Sequence, residues 1–192
     1  MKKILLALTM MLSAFTYAQS DDTEHHPFRI ELEPSGFIYR GYGVQALYDL
    51  NYIGTMTGGL YFSSLDVPDW THKGMFDEVS DTADVRLGFE AALVYRYRFL
   101  IGNAASAPYV GAIAGYEYFD ITQAPYPKTV RLSTFVVTPY IGYEIYVWNQ
   151  RLYVNPQVRS VFYINQQSSD NDRPETLSNL FILPTISLGY TL

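Results

Sequence analysis

The chain has 192 residues, a formal charge of −6, eighteen tyrosines and no cysteine. Without cysteine, disulfides, thiolate catalysis and sulfur-ligated metal are excluded. The excess of acid argues against a nucleic-acid partner.

Residues 1–18 read as a secretory signal peptide. Lys2 and Lys3 are its basic start, residues 4–15 its apolar run, and Thr16, Tyr17 and Ala18 a small-residue cleavage site before Gln19. The stretch is too short and wrongly flanked for an anchor helix. No later segment holds the ~18 uninterrupted apolar residues of a membrane helix. Residues 19–27 form a polar lead-in, and residues 28–192 one domain of strands. The exported part carries eleven basic and nineteen acidic residues.

The first strand is expected over 28–39, with Phe28, Ile30, Leu32 and Ile38 on one face and Arg29, Glu31 and Glu33 on the other. Arg40 and Gly41 turn the chain into a second strand, 42–53. There Tyr42, Val44, Ala46, Tyr48, Leu50 and Tyr52 alternate with Gln45, Leu47 and Asp49. A turn at 54–57 and a less regular strand at 58–67 precede a polar loop, 68–82.

The stretch 85–99 is the clearest. Its odd positions are Val85, Leu87, Phe89, Ala91, Leu93, Tyr95, Tyr97 and Phe99; its even ones include Arg86, Glu90, Arg96 and Arg98. A strand sends successive side chains to opposite faces, so one face is hydrocarbon and the other charged. Its length exceeds the usual ~5–6 residues and suits a bilayer crossing of about 9–11.

A short turn, 102–107, leads to strand 108–119, with Val110, Ala112, Ala114, Tyr116 and Tyr118 outward and Glu117 inward. The loop 120–130 follows, then strand 131–148, with Phe135, Val137, Ile141, Tyr143, Ile145 and Val147 opposite Thr134, Thr138 and Glu144. Asn149 and Gln150 make a hairpin. Strand 151–165 sets Leu152, Val154, Val158, Phe162 and Ile164 against Tyr153, Asn155, Gln157, Arg159 and Tyr163. After a loop at 166–175, the last strand ends the chain with Leu180, Ile182, Ile186, Leu188, Tyr190 and Leu192 on one face.

The count is eight. With both termini on the periplasmic side, the connections 68–82, 120–130 and 166–175 fall outside the cell and are the long ones, as membrane barrels require. A soluble barrel would turn its apolar rows inward. The polar faces carry Arg29, Arg86, Arg96, Arg98, Arg151 and Arg159 against Glu31, Glu33, Asp49, Glu90, Glu117 and Glu144, while Lys73 and Lys128 lie in loops. Matched charges with arginine alone suit an enclosed, mutually paired lumen. In lipid only a closed barrel satisfies every strand N–H and C=O.

In this patterning the chain resembles the small eight-stranded outer-membrane barrels of the OmpA/OmpX class. That resemblance implies an all-β, antiparallel up-and-down transmembrane barrel with a side-chain-filled polar lumen, exported to a Gram-negative outer membrane among lipid and lipopolysaccharide. Ile186, Leu188, Tyr190 and Leu192 are similar to the terminal pattern read by the barrel-assembly machinery, with leucine where phenylalanine is usual. A structural or surface-interaction role through outer loops is expected, as a monomer, without an open pore and with no cofactor.

Pro34, Pro139, Pro156 and Pro184 fall inside expected strands, where each removes a ladder donor. Pro139 and Pro156 lie on adjacent strands and could weaken one seam. This resembles the outer-membrane lipid A palmitoyltransferase, in which strand prolines open a lateral route for acyl chains. Val94, Ile113, Val136, Val161, Phe181 and Leu183 would line such a pocket. The resemblance also asks for His, Asp and Ser at the rim. The residue five past Pro34 is Tyr39, and the outer His72, near Ser63, Ser64, Asp66, Asp69 and Ser80, reads as solvated. His25 and His26 lack metal-ligand spacing. Acids in the outer loops (Asp66, Asp69, Asp77, Glu78, Asp81, Asp84, Asp170, Asp172, Glu175) could hold divalent cations, though solvated acids are the simpler account.

Overall fold

The computed structural model describes residues 27–51, 55–77, 79–80, 82–99, 106–124, 128–148, 151–170, 176–178 and 180–192. The signal-peptide reading, His25 and His26, the hairpin at Asn149 and Gln150, and the loop acids Glu78, Asp81, Asp172 and Glu175 lie outside them.

Eight antiparallel strands close into a barrel. In chain order the strands are β1 (Phe28–Leu32), β2 (Tyr42–Asp49), β3 (Met56–Asp66), β4 (Phe76–Asp77), β5 (Asp84–Arg98), β6 (Ala107–Thr122), β7 (Val130–Trp148), β8 (Leu152–Ser168), β9 (Thr176–Leu177) and β10 (Leu180–Thr191). Around the wall the order is β1, β10, β8, β7, β6, β5, β3, β2; β4 and β9 pair separately. Closure comes from β1 against β10, with Arg29 opposite Thr191 and Leu32 opposite Leu188. Each barrel strand otherwise pairs with its chain neighbour, so only the two termini meet out of sequence. Both therefore lie at one end of the barrel, here the terminal end.

The first strand is shorter than its alternation suggests. Glu33 is extended (φ −96°, ψ 108°), and Pro34 opens a one-turn helix, α1 (Pro34–Ile38). Proline disfavours the helical region for the residue before it and is preorganised for the first helical position. Arg40 then takes φ 55°, which begins the turn into β2. Gly41 is required beside it, because a Cβ there would lie 1.9 Å from the Ser64 carbonyl oxygen.

The expected faces hold through most of the wall. Leu93, Ile141, Ile182 and Ile186 are among the most exposed residues, whereas Arg29, Glu31, Arg96 and Glu144 are buried. The alternation in 85–99 is not continuous, however. Leu87 pairs with Phe119 but Phe89 with Tyr118, so Gly88 is an extra residue and the parity flips. Val85 and Leu87 consequently face inward, and Arg86 faces out. Similar shifts occur between Ser63 and Leu65 in β3 and opposite β8, where Asn165 takes φ 54°.

These shifts coincide with a change of character along the barrel axis. At the far end the outward residues are Asp84, Arg86, Thr122 and Arg131, while Val85, Leu87, Phe119, Ile121, Val130 and Leu132 are buried inside. That is the pattern of a soluble barrel. A second helix, α2 (Asp69–Met75), and the β4–β9 pair cover this end, adding Phe76, Val79 and Leu177 to the core. The described residues of the segment 68–82 thus form a folded cap and not a solvated loop. Each such side chain buried adds about 1.5–3 kcal/mol.

Candidate functional site: a plugged lumen and a side chamber

Near the terminal end the lumen is filled by one ionic cluster. Arg29 of β1 donates from Nη2 to both Asp49 oxygens, at 2.7 and 2.9 Å, and from Nη1 to Glu144 at 3.1 Å. Arg96 of β5 donates from Nη1 to Glu31 at 2.6 Å and to Glu144 at 2.8 Å. Arg98 lies 2.8 Å from Glu144 through Nε. Glu31 also accepts from Tyr153, Asn155 and Ser187 at 2.9, 3.1 and 2.9 Å, and Thr57 donates to Asp49. The Arg96 guanidinium lies 4.3 Å from the Tyr109 ring centroid, and the Tyr109 hydroxyl donates to Asn155. Every strand of the barrel contributes at least one of these side chains. Buried charges are tolerable only when paired and hydrogen-bonded this completely.

Toward the far end the pairing thins. Arg159 bonds to Glu33, which also accepts from Tyr61 at 3.1 Å. Glu90 accepts from Ser63 at 2.7 Å and stands directly across from Glu117 on β6. Among the described residues neither Glu90 nor Glu117 has an ion pair, and Glu117 Oε1 is buried without a hydrogen-bond partner. Val136 and Val161 begin the apolar core beside them.

The expected charge set therefore divides. Arg29, Glu31, Asp49, Arg96, Arg98 and Glu144 come together as the plug, and Glu33 with Arg159 forms a second pair. Arg86 does not belong to the lumen. The flip at Gly88 carries it to the outer surface, where it pairs with Asp66 at 3.1 Å; Asp66 also meets Arg40 at 2.5 Å. With Arg86 outside, the interior acids outnumber the interior arginines, and Glu90 and Glu117 are the surplus. Only the bulge could have revealed this, and Gly88 between two apolar residues is its one mark in the sequence.

His72 is fully buried in α2, with Nε2 3.3 Å from the Val67 carbonyl and its ring edge-on to Phe76. It is part of the cap, neither solvated nor near a catalytic partner. Ser63 serves Glu90, and Ser64 donates to the Leu87 carbonyl. Among the described residues no group of His, Asp and Glu side chains is arranged to hold a metal ion.

The prolines have three different settings. Pro34 starts α1. Along β10, Thr191 N–H donates toward β8 and Leu192 N–H toward β1, so even-numbered residues present their nitrogens to the β1 side. Pro184 is one of them, and β1 has already ended there. The β7–β8 ladder steps from Val137 opposite Phe162 to Tyr140 opposite Arg159, and from Gly142 opposite Gln157 to Ile145 opposite Val154. The skipped pairs contain Pro139 and Pro156, which donate nothing to the seam.

The fold and the plugged lumen define the class: an eight-stranded, up-and-down β-barrel of the small outer-membrane type, whose lumen is crossed near the terminal end by its own side chains. The structure of Neisserial surface protein A (NspA) matches with a TM-score of 0.57 at 10% identity, over 86% of this chain and 97% of that one. The N-terminal β-barrel domain of OprF from Pseudomonas aeruginosa matches with a TM-score of 0.52 at 14% identity, over the same shares of the two chains. At such identities the likeness is one of fold. No family model matches the sequence, and no curated protein does.

Proposed function

We propose that the chain is exported, loses residues 1–18 and resides in a Gram-negative outer membrane as a non-conducting barrel, with a structural or surface-interaction role. The observation that carries this reading is the plug, which crosses the lumen with side chains from all eight strands. A terminal-end strand set with lipid-facing Leu93 and Ile186 supports the location. On this reading β10 is the strand presented to the assembly machinery, and the cap of α2, β4 and β9 is what the cell displays. The rim arginines Arg40, Arg86 and Arg131 face lipopolysaccharide phosphates, and divalent cations bridge the outer acids to them.

Planar-bilayer recordings on the purified chain test the closed state. No steady conductance is expected, and a large stable conductance would reject it. Outer-membrane fractionation with heat-modifiable gel mobility tests the location. A second reading, a lipid A-modifying or lipid-binding barrel with access at the β7–β8 seam, is favoured by the two ladder gaps at Pro139 and Pro156. Acyl transfer or hydrolysis of labelled lipid A by the wild-type chain would be its sign.

A further inference from the structure

The side chains of β10 that face the lumen change state along the strand. Ser187, Gly189 and Thr191 are buried, but Phe181, Leu183 and Thr185 are partly exposed. The change falls where β1 stops. β10 is paired with β1 only from Leu188 to Thr191, and with β8 over its whole length from Leu180 to Tyr190. Over residues 180–187 its other edge has no strand beside it among the described residues. The helix α1 stands where β1 would have continued, and α2 lies above, with Gly74 against the Phe181 ring.

Pro184 suits that edge. It turns its nitrogen toward the missing neighbour, so the ladder to β8 loses no donor. It removes one of the N–H groups that this edge would present unpaired, each at a cost of several kcal/mol in lipid.

A void of about 1210 Å³ is continuous across this gap. Inside the barrel it reaches Glu90, Ile113, Glu117, Val136 and Val161; outside it reaches Ile38, Trp70, Pro184 and Ile186 and continues over Val158 and Ile141. It is larger than the ~300–1,000 Å³ usual for small-molecule sites, because it combines an inner chamber with an outer groove. The chamber walls are mostly hydrocarbon. Its polar lining comprises Glu33, Tyr61 and Arg159 toward the plug and the facing pair Glu90 and Glu117, and the buried Glu117 Oε1 accepts from nothing in the protein. A buried acceptor without a donor calls for one from elsewhere.

We propose that the barrel takes up, through the gap between α1 and β10, a membrane-dissolved alkyl chain ending in a hydrogen-bond donor, a hydroxyl or a protonated amine. The alkyl body lies against Val136, Val161 and Ile113, and the donor end reaches Glu117 and Glu90. The gap faces the apolar belt and not water, so the ligand arrives from the bilayer. This goes beyond the closed-barrel reading and is compatible with it, since the chamber ends on Arg159 and Glu33 above the plug. The outer part of the void also runs past Ile141, Tyr143, Pro156 and Val158 of the β7–β8 seam, but there strands remain paired on both sides of each proline, and the entrance is placed at the free edge of β10.

The test is isothermal titration of the full chain in phosphatidylcholine nanodiscs, with empty nanodiscs subtracted. The probes are dodecan-1-amine, dodecan-1-ol, dodecanoate and butan-1-amine. A single saturable site is expected for the first two. Dodecanoate, which brings a like charge to two carboxyls, should bind at least about tenfold more weakly, and so should butan-1-amine, which lacks the apolar body. Glu117→Leu should remove the preference for amine over carboxylate. Val161→Trp should fill the chamber and abolish binding, and Leu183→Trp should obstruct the gap and slow association, while Pro156→Ala leaves association unchanged. Heat-modifiable mobility identifies folded variants, and Ile113→Phe replaces Val161→Trp should the latter not fold. Heats equal to those of empty nanodiscs, or undiminished binding in a folded chamber-filling variant, would overturn the proposal. A Pro156→Ala variant that alone alters association would move the gate to the other seam and equally overturn it. The inference rests on the membrane location proposed above, which fractionation tests separately, and not on the closed state, so binding and conductance can each fail without the other.

Discussion

Arg96 on β5 lies between Glu31 on β1 and Glu144 on β7, donating to both from the same nitrogen at 2.6 and 2.8 Å. One guanidinium thus joins parts of the wall that share no ladder. The strand that closes the barrel is the shortest in it, at five residues, and its few backbone pairs are supplemented by this cross-lumen contact. The plug is therefore a closure device as well as an obstruction.

Removing one member should be costly. Arg96→Met leaves Glu31 and Glu144 buried with reduced pairing, and about 3–5 kcal/mol of unfolding free energy should be lost. Adding Glu31→Gln to Arg96→Met should recover part of it, because the stranded charge goes too. Urea unfolding of the refolded barrel in lipid vesicles reads both. A double variant as unstable as the sum of the singles would show that the two residues do not act as a unit.

The outward face makes a different demand. Leu93 is 67% exposed midway along β5, and Val94 beside it is 4% exposed inside. Leu93→Arg should cost about 2–4 kcal/mol in a bilayer, whereas Val94→Thr, inside the barrel among Leu47, Tyr109 and Ile113, should cost less. Equal losses at both positions would mean that the odd row of β5 does not meet lipid.

The barrel was legible because the requirement behind it repeats every second residue. Tyr95, Tyr97 and Phe99 against Arg96 and Arg98 can be read without neighbours. The same alternation puts Arg29, Glu31 and Glu144 on one face, and in the structure they meet in one cluster. The alternation gives no warning of a phase change. Val85 and Leu87 continue the apolar row numerically, yet beyond the belt the outer solvent is water, and an apolar side chain there is better placed inside. One inserted glycine allows that exchange. The cap was missed for a related reason: 68–82 is polar in composition, and its few apolar residues, Trp70, Met75, Phe76 and Val79, have no strand period. Only their meeting with Leu177 and Phe119 makes them a core. The gap beside β10 depends on where β1 stops, which Pro34 marked without saying what would replace the strand.

The two kinds of strand proline should separate in hydrogen exchange. Pro139→Ala gives β7 an N–H directed at β8, where a carbonyl column is already in register. Pro184→Ala gives β10 an N–H directed at the gap, where there is no strand. By nuclear magnetic resonance in micelles, the new amide at 139 should exchange about a hundredfold more slowly than the one at 184, as paired amides do relative to unpaired ones. Similar protection at both would mean that α1 or another segment pairs with the free edge of β10.

The phase change at Gly88 can be checked on living cells. The chain has no cysteine, so single cysteines report alone. On the proposed topology Arg86 projects from the far end into the medium, and Leu87, 7% exposed, is enclosed under the cap. A membrane-impermeant maleimide should label Arg86→Cys within minutes and leave Leu87→Cys unlabelled until the protein is denatured. Phe89→Cys, on the next outward position but facing the apolar belt, should also resist a charged reagent. Had the odd row stayed outward from 85 to 99, Leu87 and Phe89 would share one environment and Arg86 would be the protected residue. The order of reactivity at positions 86, 87 and 89 therefore decides between a shifted and an unbroken strand, because a one-residue slip sends every side chain to the opposite face.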